Sequence, residues 1–315
     1  MFVTIASLQQ PTFHSEFSWP RKPGQSMTAY ASQELDRRVQ FVSDRLETAV
    51  QAAQQHFGQS SCLFFTLPEF FWNVPWNSVR SEQELLELGW ACMDRMPESM
   101  ERLMSWARVE SHGKIILLAG TCATLVKVGE GDGHFDVINY LLSVNNFNFR
   151  KEGLPELSMW PKRHVSSIDF GPCINSEAGY WYFQISEDMI IKVKDLSSVV
   201  AEQNLAASYN PAFSNSLIPG CTFSLNLCLD YAVLQEGERD HELRAIGSNI
   251  DFLIACGMAF RKGKSYPSSV QVAVRNDGMG KGRCEFARVE AGSITQVLPS
   301  MIIEDTLHLA LIELD

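Results

Sequence analysis

The stretch Thr222-Phe223-Ser224-Leu225-Asn226-Leu227-Cys228-Leu229-Asp230-Tyr231 decides the fold. An apolar strand runs into a short acidic turn, and Cys228 stands at the junction. A cysteine there is presented at the carboxyl edge of a sheet, where α/β folds place their chemistry. Two other segments have the same form, a strand-like run ending in one ionisable residue. They are Cys62-Leu63-Phe64-Phe65-Thr66-Leu67-Pro68-Glu69 and Leu157-Ser158-Met159-Trp160-Pro161-Lys162-Arg163-His164.

Working outward, strands and helices alternate. Leu35, Val39, Val42, Leu46, Val50 and Ala53 have helical spacing over residues 32 to 56, with Ser32 as the expected N-cap. Glu82 to Val109 reads as helix, broken near Pro97, with Leu85, Leu88, Met93, Met96, Met100, Leu103 and Trp106 on the buried side. Lys114 to Gly120 is a buried strand, Gly129 to His134 a turn, and Val137 to Val144 a further strand. The second half repeats this style, with a helix around Glu238 to Ser248, a strand from Asp251 to Gly257, and another from Val270 to Asn276. Glu285 to Val289 and Met301 to Leu314 read as closing strands. This order indicates an α/β protein with helices covering sheets. No linker or composition break divides it, so a single domain over 1–315 is expected, with insertions near 73–100 and 178–216.

Bulk numbers narrow the function. Of 315 residues, 45% are hydrophobic and 20% charged, enough for a large core. A formal net charge of −11 argues against nucleic acid or an anionic membrane as partner, since both demand basic patches. The eight cysteines are scattered singly and no histidine has metal-ligand spacing, so neither a disulfide framework nor a metal site is expected. No run reaches membrane-spanning length, and Met1 to Gln9 reads as a first strand, which together give the expectation of a cytoplasmic protein.

Taken together, these segments resemble the nitrilase superfamily of carbon–nitrogen hydrolases. Ile5-Ala6-Ser7-Leu8-Gln9 is similar to the family's first strand, Leu67-Pro68-Glu69 to its general-base motif, and Leu117-Leu118-Ala119-Gly120-Thr121 to the strand that comes next. Lys162-Arg163-His164-Val165 resembles the lysine motif. Pro219-Gly220 and Cys228-Leu229-Asp230 resemble the nucleophile motif, and Gly247 to Ile254 the strand after it. Asn276 stands where the family often has an Asn after an alternating strand. The Arg-Phe-Pro-Glu tail common after the nucleophile is replaced by Tyr231-Ala232-Val233-Leu234-Gln235-Glu236. The resemblance implies a four-layer α-β-β-α sandwich, a homodimer or higher homo-oligomer, and no cofactor.

It also implies a small-molecule substrate, a small linear amide or carbamoyl compound, and assigns roles. An amide is a poor electrophile and a neutral thiol a modest nucleophile, so Cys228 needs a carboxylate to take its proton and return it to the leaving amine. Glu69 is that base, and Lys162 with the N–H after Cys228 stabilises the oxyanion. A second family glutamate holds the lysine or helps position the base; Glu177, 15 residues beyond Lys162, is chosen over Glu187 and Asp169. Asp230 after the cysteine is similar to the amidase branch more than to nitrilases. Trp72, Asn73, Trp76 and Tyr231 flank these motifs as candidate pocket residues, although aromatic residues there are at least as common in cores. His164 reads as a structural hydrogen-bonder.

Each residue has a plainer reading as well. A cysteine in an apolar strand is most often inert packing, Pro-Glu after a strand is often only a turn, and Lys162 beside Arg163 and His164 has a lesser reading as a solvated patch. Three alternatives to hydrolysis remain: acyl transfer from the same thioester to an amine, a papain-like enzyme using His241 or His308, and a non-catalytic nitrilase-like binding or regulatory module.

Overall fold

The computed structural model describes residues 1–13, 17–58, 60–130, 133–151, 153–162, 164–177, 179–194, 215–234, 247–261, 263 and 265–315. In chain order the strands are β1 (Phe2–Leu8), β2 (Leu63–Thr66), β3 (Ile115–Val128), β4 (His134–Phe149), β5 (Pro155–Pro161), β6 (Cys173–Glu177), β7 (Tyr180–Ser186) and β8 (Met189–Lys194). They continue as β9 (Phe223–Leu227), β10 (Ile250–Ala255), β11 (Val272–Asp277), β12 (Arg283–Glu290), β13 (Ser293–Val297), β14 (Met301–Ile303) and β15 (Leu307–Glu313). The helices are α1 (Met27–Phe57), α2 (Glu82–Met104), α3 (Val109–His112) and α4 (Leu229–Leu234).

Two sheets form. The larger has ten strands in the order β14-β15-β1-β2-β3-β4-β8-β7-β6, with β5 pairing β4. The smaller has five in the order β13-β12-β11-β10-β9. In the centre of each lies a parallel trio, β1-β2-β3 and β9-β10-β11. Strands buried on both faces suit parallel pairing, and β2 (LFFT) and β10 (IDFLIA) are buried at every residue. The sheets pack through one apolar layer to which Ile5, Phe64, Ile116, Leu118 and Trp160 contribute from one side and Phe223, Leu225, Phe252, Ile254 and Val274 from the other.

Helices α1 and α2 cover the outer face of the larger sheet, α1 on β1, β2 and β15 and α2 on β3 to β5. On the outer face of the smaller sheet, Tyr231 of α4 packs with Leu253, Ala255 and Ala273. The layers therefore run α-β-β-α, as expected, with the expected helix around Glu238 to Ser248 lying outside the described residues except at its last two positions.

Several boundaries differ. Helix α1 starts a turn and a half before Ser32, because Ser26 caps it by accepting from Ala29 N–H at 3.2 Å. Helix α2 runs through Pro97 without a break. Pro97 removes one internal hydrogen bond, but Leu88, Met96, Met100 and Leu103 stay anchored in the core on both sides of it. Met93 is 41% exposed, contrary to expectation, and Trp106 lies beyond the helix. Strand β3 passes through Gly120 with a register shift instead of ending there. The closing strand is split into β14 and β15 by a turn with Glu304 and Asp305 at φ 48° and 63°. Of the segments expected as insertions, 73–100 holds most of α2, 180–194 adds β7 and β8 to the larger sheet, and 195–214 lies outside the described residues.

Candidate active site

The carboxyl ends of β2 and β9 come together where the two sheets meet. Asn276, fully buried near the end of β11, ties them: its Nδ2 donates to Thr66 O and Thr66 Oγ1, both at 3.0 Å, from the smaller sheet to the larger. Beyond Thr66 the chain turns sharply through Pro68 and Glu69, with Phe70 at φ 60°. That turn is held by Thr121, whose hydroxyl accepts the Phe70 N–H at 2.9 Å, and by Thr12, whose hydroxyl donates to Glu69 O at 2.6 Å. Gly120 is required beside it. A Cβ on Gly120 would stand 2.3 Å from Pro68 O.

Cys228 occupies the strand-to-helix junction between β9 and α4 at φ 46°, a conformation that non-glycine residues adopt at a cost. Such a tight turn projects a nucleophile off the sheet edge. Cys228 N–H donates to Ile254 O at 3.0 Å, and Cys228 Sγ lies 3.5 Å from Cys256 O. Lys162 comes directly after β5, its backbone N–H held by Asn139 O at 2.7 Å.

The three expected residues converge. Lys162 Nζ stands 2.9 Å from Glu69 Oε1, and Cys228 is close enough for its thiol to feel both charges. Glu69 is 0% exposed and Cys228 4%. Behind Lys162 stands Asp169, whose two carboxylate oxygens take Nζ–H bonds at 2.8 and 2.9 Å. Asp169 is itself fixed by Ser166, which donates its N–H at 3.0 Å and its hydroxyl, and by Trp76 Nε1–H, which donates to Asp169 O at 3.0 Å. The Cys228 and Lys162 motifs are also joined: buried Asp230 Oδ1 accepts from His164 N–H at 2.9 Å and stands 2.8 Å from His164 Nδ1.

Electrostatics follow from two carboxylates and one ammonium in a dry site. Burial pushes the Glu69 carboxyl up to about 7; Lys162 opposes that rise and Asp169 adds to it. Burial also raises the Cys228 thiol well above its ordinary value, with Glu69 adding to the rise and Lys162 opposing it. For Lys162, burial favours the neutral form, but Asp169, Glu69 and Cys228 outweigh it and the ammonium is held charged. The site therefore combines a thiol held neutral, a carboxyl raised toward neutrality and an ammonium held charged.

Other expected site residues lie elsewhere. Glu177 is corrected: it is exposed at the end of edge strand β6, and the carboxylate on Lys162 is Asp169, seven residues after the lysine. A signal for it was present, since Asp169 is the lone acid in the segment Val165-Ser166-Ser167-Ile168-Asp169-Phe170-Gly171-Pro172. Trp72 is a core residue, 1% exposed, with Nε1 donating to Ala119 O at 2.5 Å. Tyr231 is also core, its hydroxyl paired with that of Tyr266 at 2.7 Å on the far face of the smaller sheet. Asn73 and Trp76 do line a cavity of about 450 Å³ that shares Phe70 and Asp169 with the site. His308 bonds Gln9 at 2.7 Å and Ser300 at 3.3 Å, away from Cys228, while His241 lies outside the described residues. Among the described residues no cluster of three or more His, Cys, Asp or Glu is arranged to hold a metal, and no helix is long and apolar enough to cross a membrane.

No protein-family model matches the sequence, and no curated protein matches it. Solved structures do match in shape over almost the whole chain. A carbon–nitrogen hydrolase from Helicobacter pylori G27 is 11% identical, covers 98% of this chain and 88% of its own, and has a TM-score of 0.42. An amidase from Nesterenkonia sp. is 12% identical with coverages of 98% and 90% and a TM-score of 0.40. A variant of the amidase from Nesterenkonia sp. AN1 carries the acetamide moiety of fluoroacetamide covalently at its active-site cysteine; it is 11% identical, with coverages of 98% and 90% and a TM-score of 0.41. The chain is thus similar along nearly its whole length to carbon–nitrogen hydrolase and amidase structures, and the roles of its residues rest on their own geometry.

Proposed function

We propose that the protein is a thioester-forming carbon–nitrogen hydrolase of the nitrilase type, acting on a small amide or carbamoyl compound. One observation carries this reading: the Glu69 carboxylate, a fixed Lys162 ammonium and the Cys228 thiol are buried together at the joined carboxyl ends of two sheets. Burying an ammonium against two carboxylates is costly and contributes little as a stability device. It makes sense as machinery.

In the first half-reaction Glu69 accepts the Cys228 proton as sulfur forms its bond to the amide carbon. The oxyanion is met by Lys162 Nζ and by the N–H of Leu229, which opens α4 and so has no intrahelical acceptor. The C–N bond breaks, and the proton on Glu69 leaves with the amine. Glu69 then takes a proton from water, hydroxide adds to the thioester, and the acid departs as Cys228 recovers its proton. A base poised near pH 7 serves both half-reactions. An amide is favoured over a nitrile because Cys228-Leu229-Asp230 has the acid of the amidase pattern.

The test is ammonia or amine release across amides, carbamoyl compounds and nitriles, comparing wild type with Cys228→Ala and Glu69→Gln. Both variants are expected to lose at least about a hundredfold in turnover. Activity surviving in Cys228→Ala would remove the assigned nucleophile. Turnover that appears only with an added amine acceptor would instead assign acyl transfer.

A further inference from the structure

We propose that the substrate carries an aryl or comparably bulky apolar group on its acyl side, and that this group occupies the cavity beside Glu69, Lys162 and Cys228. The inference rests on the thioester reading above and concerns what that site accepts. The cavity, about 450 Å³, is walled by Phe13, Phe17, Phe70, Phe71, Trp76 and Ile185. It lies within the range of about 300–1,000 Å³ typical of pockets for drug-sized ligands, far more than a one- or two-carbon acyl group fills. It adjoins the catalytic cluster through two wall residues, Phe70 and Asp169, while Glu69, Lys162 and Cys228 lie behind them. Phe70 is next to Glu69 in the chain, Lys162 Nζ stands 5.5 Å from the Phe70 ring centre, and Asp169 forms part of the wall.

Four polar residues of the wall, Arg38, Asn73, Thr12 and Asp169, are already committed to the protein, while Asn77, Ser167 and Gln184 also belong to the polar part of the lining. Arg38, 1% exposed, donates Nη1 to Phe71 O and Asn73 O at 2.6 Å each and Nη2 to Ser18 Oγ. Only its Nε is without a partner among the described residues, too little for a carboxylate, which takes two parallel N–H bonds from arginine. The Asn73 amide clasps Ala123 N and O at 3.0 and 3.2 Å. Thr12 donates to Glu69 O, and Asp169 is engaged by Lys162 and Ser166. A carboxylate-bearing acyl group would lose its hydration there and meet, among the described wall residues, no cation other than the engaged Arg38, whereas an apolar ring meets aromatic faces and edges.

The experiment compares 3-phenylpropionamide with acetamide in two ways. Wild-type kcat/KM is measured for each, and binding of each to Cys228→Ala is measured by calorimetry, where no chemistry intervenes. The phenyl amide should be favoured by at least about a hundredfold in kcat/KM, since each methylene lost from an apolar pocket is worth about 10- to 200-fold. Gln184→Trp, at a partly exposed cavity residue, and Val74→Phe, at a buried one, should each reduce the phenyl-over-acetamide ratio by about tenfold or more. Ratios within about tenfold of unity in wild type, or unchanged in both variants, would overturn the inference while leaving the hydrolase standing. Tight binding of the phenyl amide to Cys228→Ala with no wild-type turnover and no acyl adduct on Cys228 by intact mass would overturn the hydrolase and the substrate assignment together.

Discussion

Replacing Asp169 with asparagine separates a positioning role from a merely structural one, because it should change the pH dependence as well as the rate. The aspartate places two oxygens at 2.8 and 2.9 Å from Lys162 Nζ, leaving the ammonium shared between it and Glu69 at 2.9 Å. In Asp169→Asn the side chain keeps nearly the same shape but has no charge, and one oxygen becomes a donor facing a donor. A hydrogen bond to a charged group is worth about 1.5–3 kcal/mol. At about 1.4 kcal/mol per factor of ten, kcat/KM at high pH should fall roughly 10- to 150-fold. The sign of the pH effect comes from the charges. Glu69 must be ionised to take the thiol proton, so wild-type kcat/KM should drop as pH falls below about 7. Asp169 contributes to the raised Glu69 pKa by repulsion, and in its absence Lys162 pairs with Glu69 alone. Both changes stabilise the ionised Glu69, and the acid limb of the profile should move to lower pH. The assay is kcat/KM from about pH 5 to 9 for both proteins. A limb that stays in place, or moves upward, would refute the assignment of Asp169 as the group that sets the charge balance.

Four further outcomes are expected. Gly120→Ala must fit a Cβ 2.3 Å from Pro68 O at φ 65°, so it should lower Tm and, by displacing the turn that carries Glu69, lower kcat by at least about tenfold. Asp230→Asn weakens the link to His164 that joins the lysine and cysteine motifs; kcat should fall while the rate of Cys228 alkylation by iodoacetamide changes less, measured on the same preparation. Asn276→Ala leaves Thr66 O without its donor in a buried place and should cost about 1–3 kcal/mol in urea unfolding. Glu69→Gln should flatten the pH dependence of stability: a carboxyl raised from 4.5 to about 7 on folding withdraws stability as pH rises through that window, on the order of 3 kcal/mol in all, and glutamine has no such slope. Unfolding midpoints at about pH 5 and 8 check this; an unchanged slope would refute it.

Glu69, Lys162 and Cys228 could be picked out in the sequence because each stands where an apolar run ends, and the ends of β2, β5 and β9 come together. Glu177 misled because spacing along a chain says nothing about a reversal within it. Between Lys162 and Glu177 the chain turns at Gly171-Pro172 and leaves along β6, an edge strand whose Ile174 to Glu177 face solvent, while Asp169 stays behind at the turn. Trp72 and Tyr231 misled for a related reason. Each is within three residues of a proposed catalytic position, yet the backbone is left-handed at Phe70 and at Cys228 and redirects the chain beyond them, sending Trp72 under β3 and Tyr231 to the far side of the smaller sheet. Pattern reading sees neighbours in sequence; a residue at positive φ breaks that equivalence.

Those two left-handed residues also show why the site is where it is. Phe70 at φ 60° comes after β2 of the larger sheet and Cys228 at φ 46° after β9 of the smaller, so two strained turns face each other across the seam. Strain of this kind persists only where the surroundings over-determine it. Here Thr12 and Thr121 hold the Phe70 turn, Ile254 O holds Cys228 N–H, and Asn276 pins the two strand systems together. The same seam buries Glu69, Lys162 and Asp169, and that makes the charge count matter. With one ammonium between two carboxylates, a dry site cannot keep both acids fully ionised without a penalty. Asp169 gives both of its oxygens to Lys162 and accepts from Ser166, whereas Glu69 has the single 2.9 Å contact. A carboxyl that titrates near neutrality is what a group alternately receiving and returning protons requires, and burial is its main cause, with Lys162 opposing the rise and Asp169 adding to it.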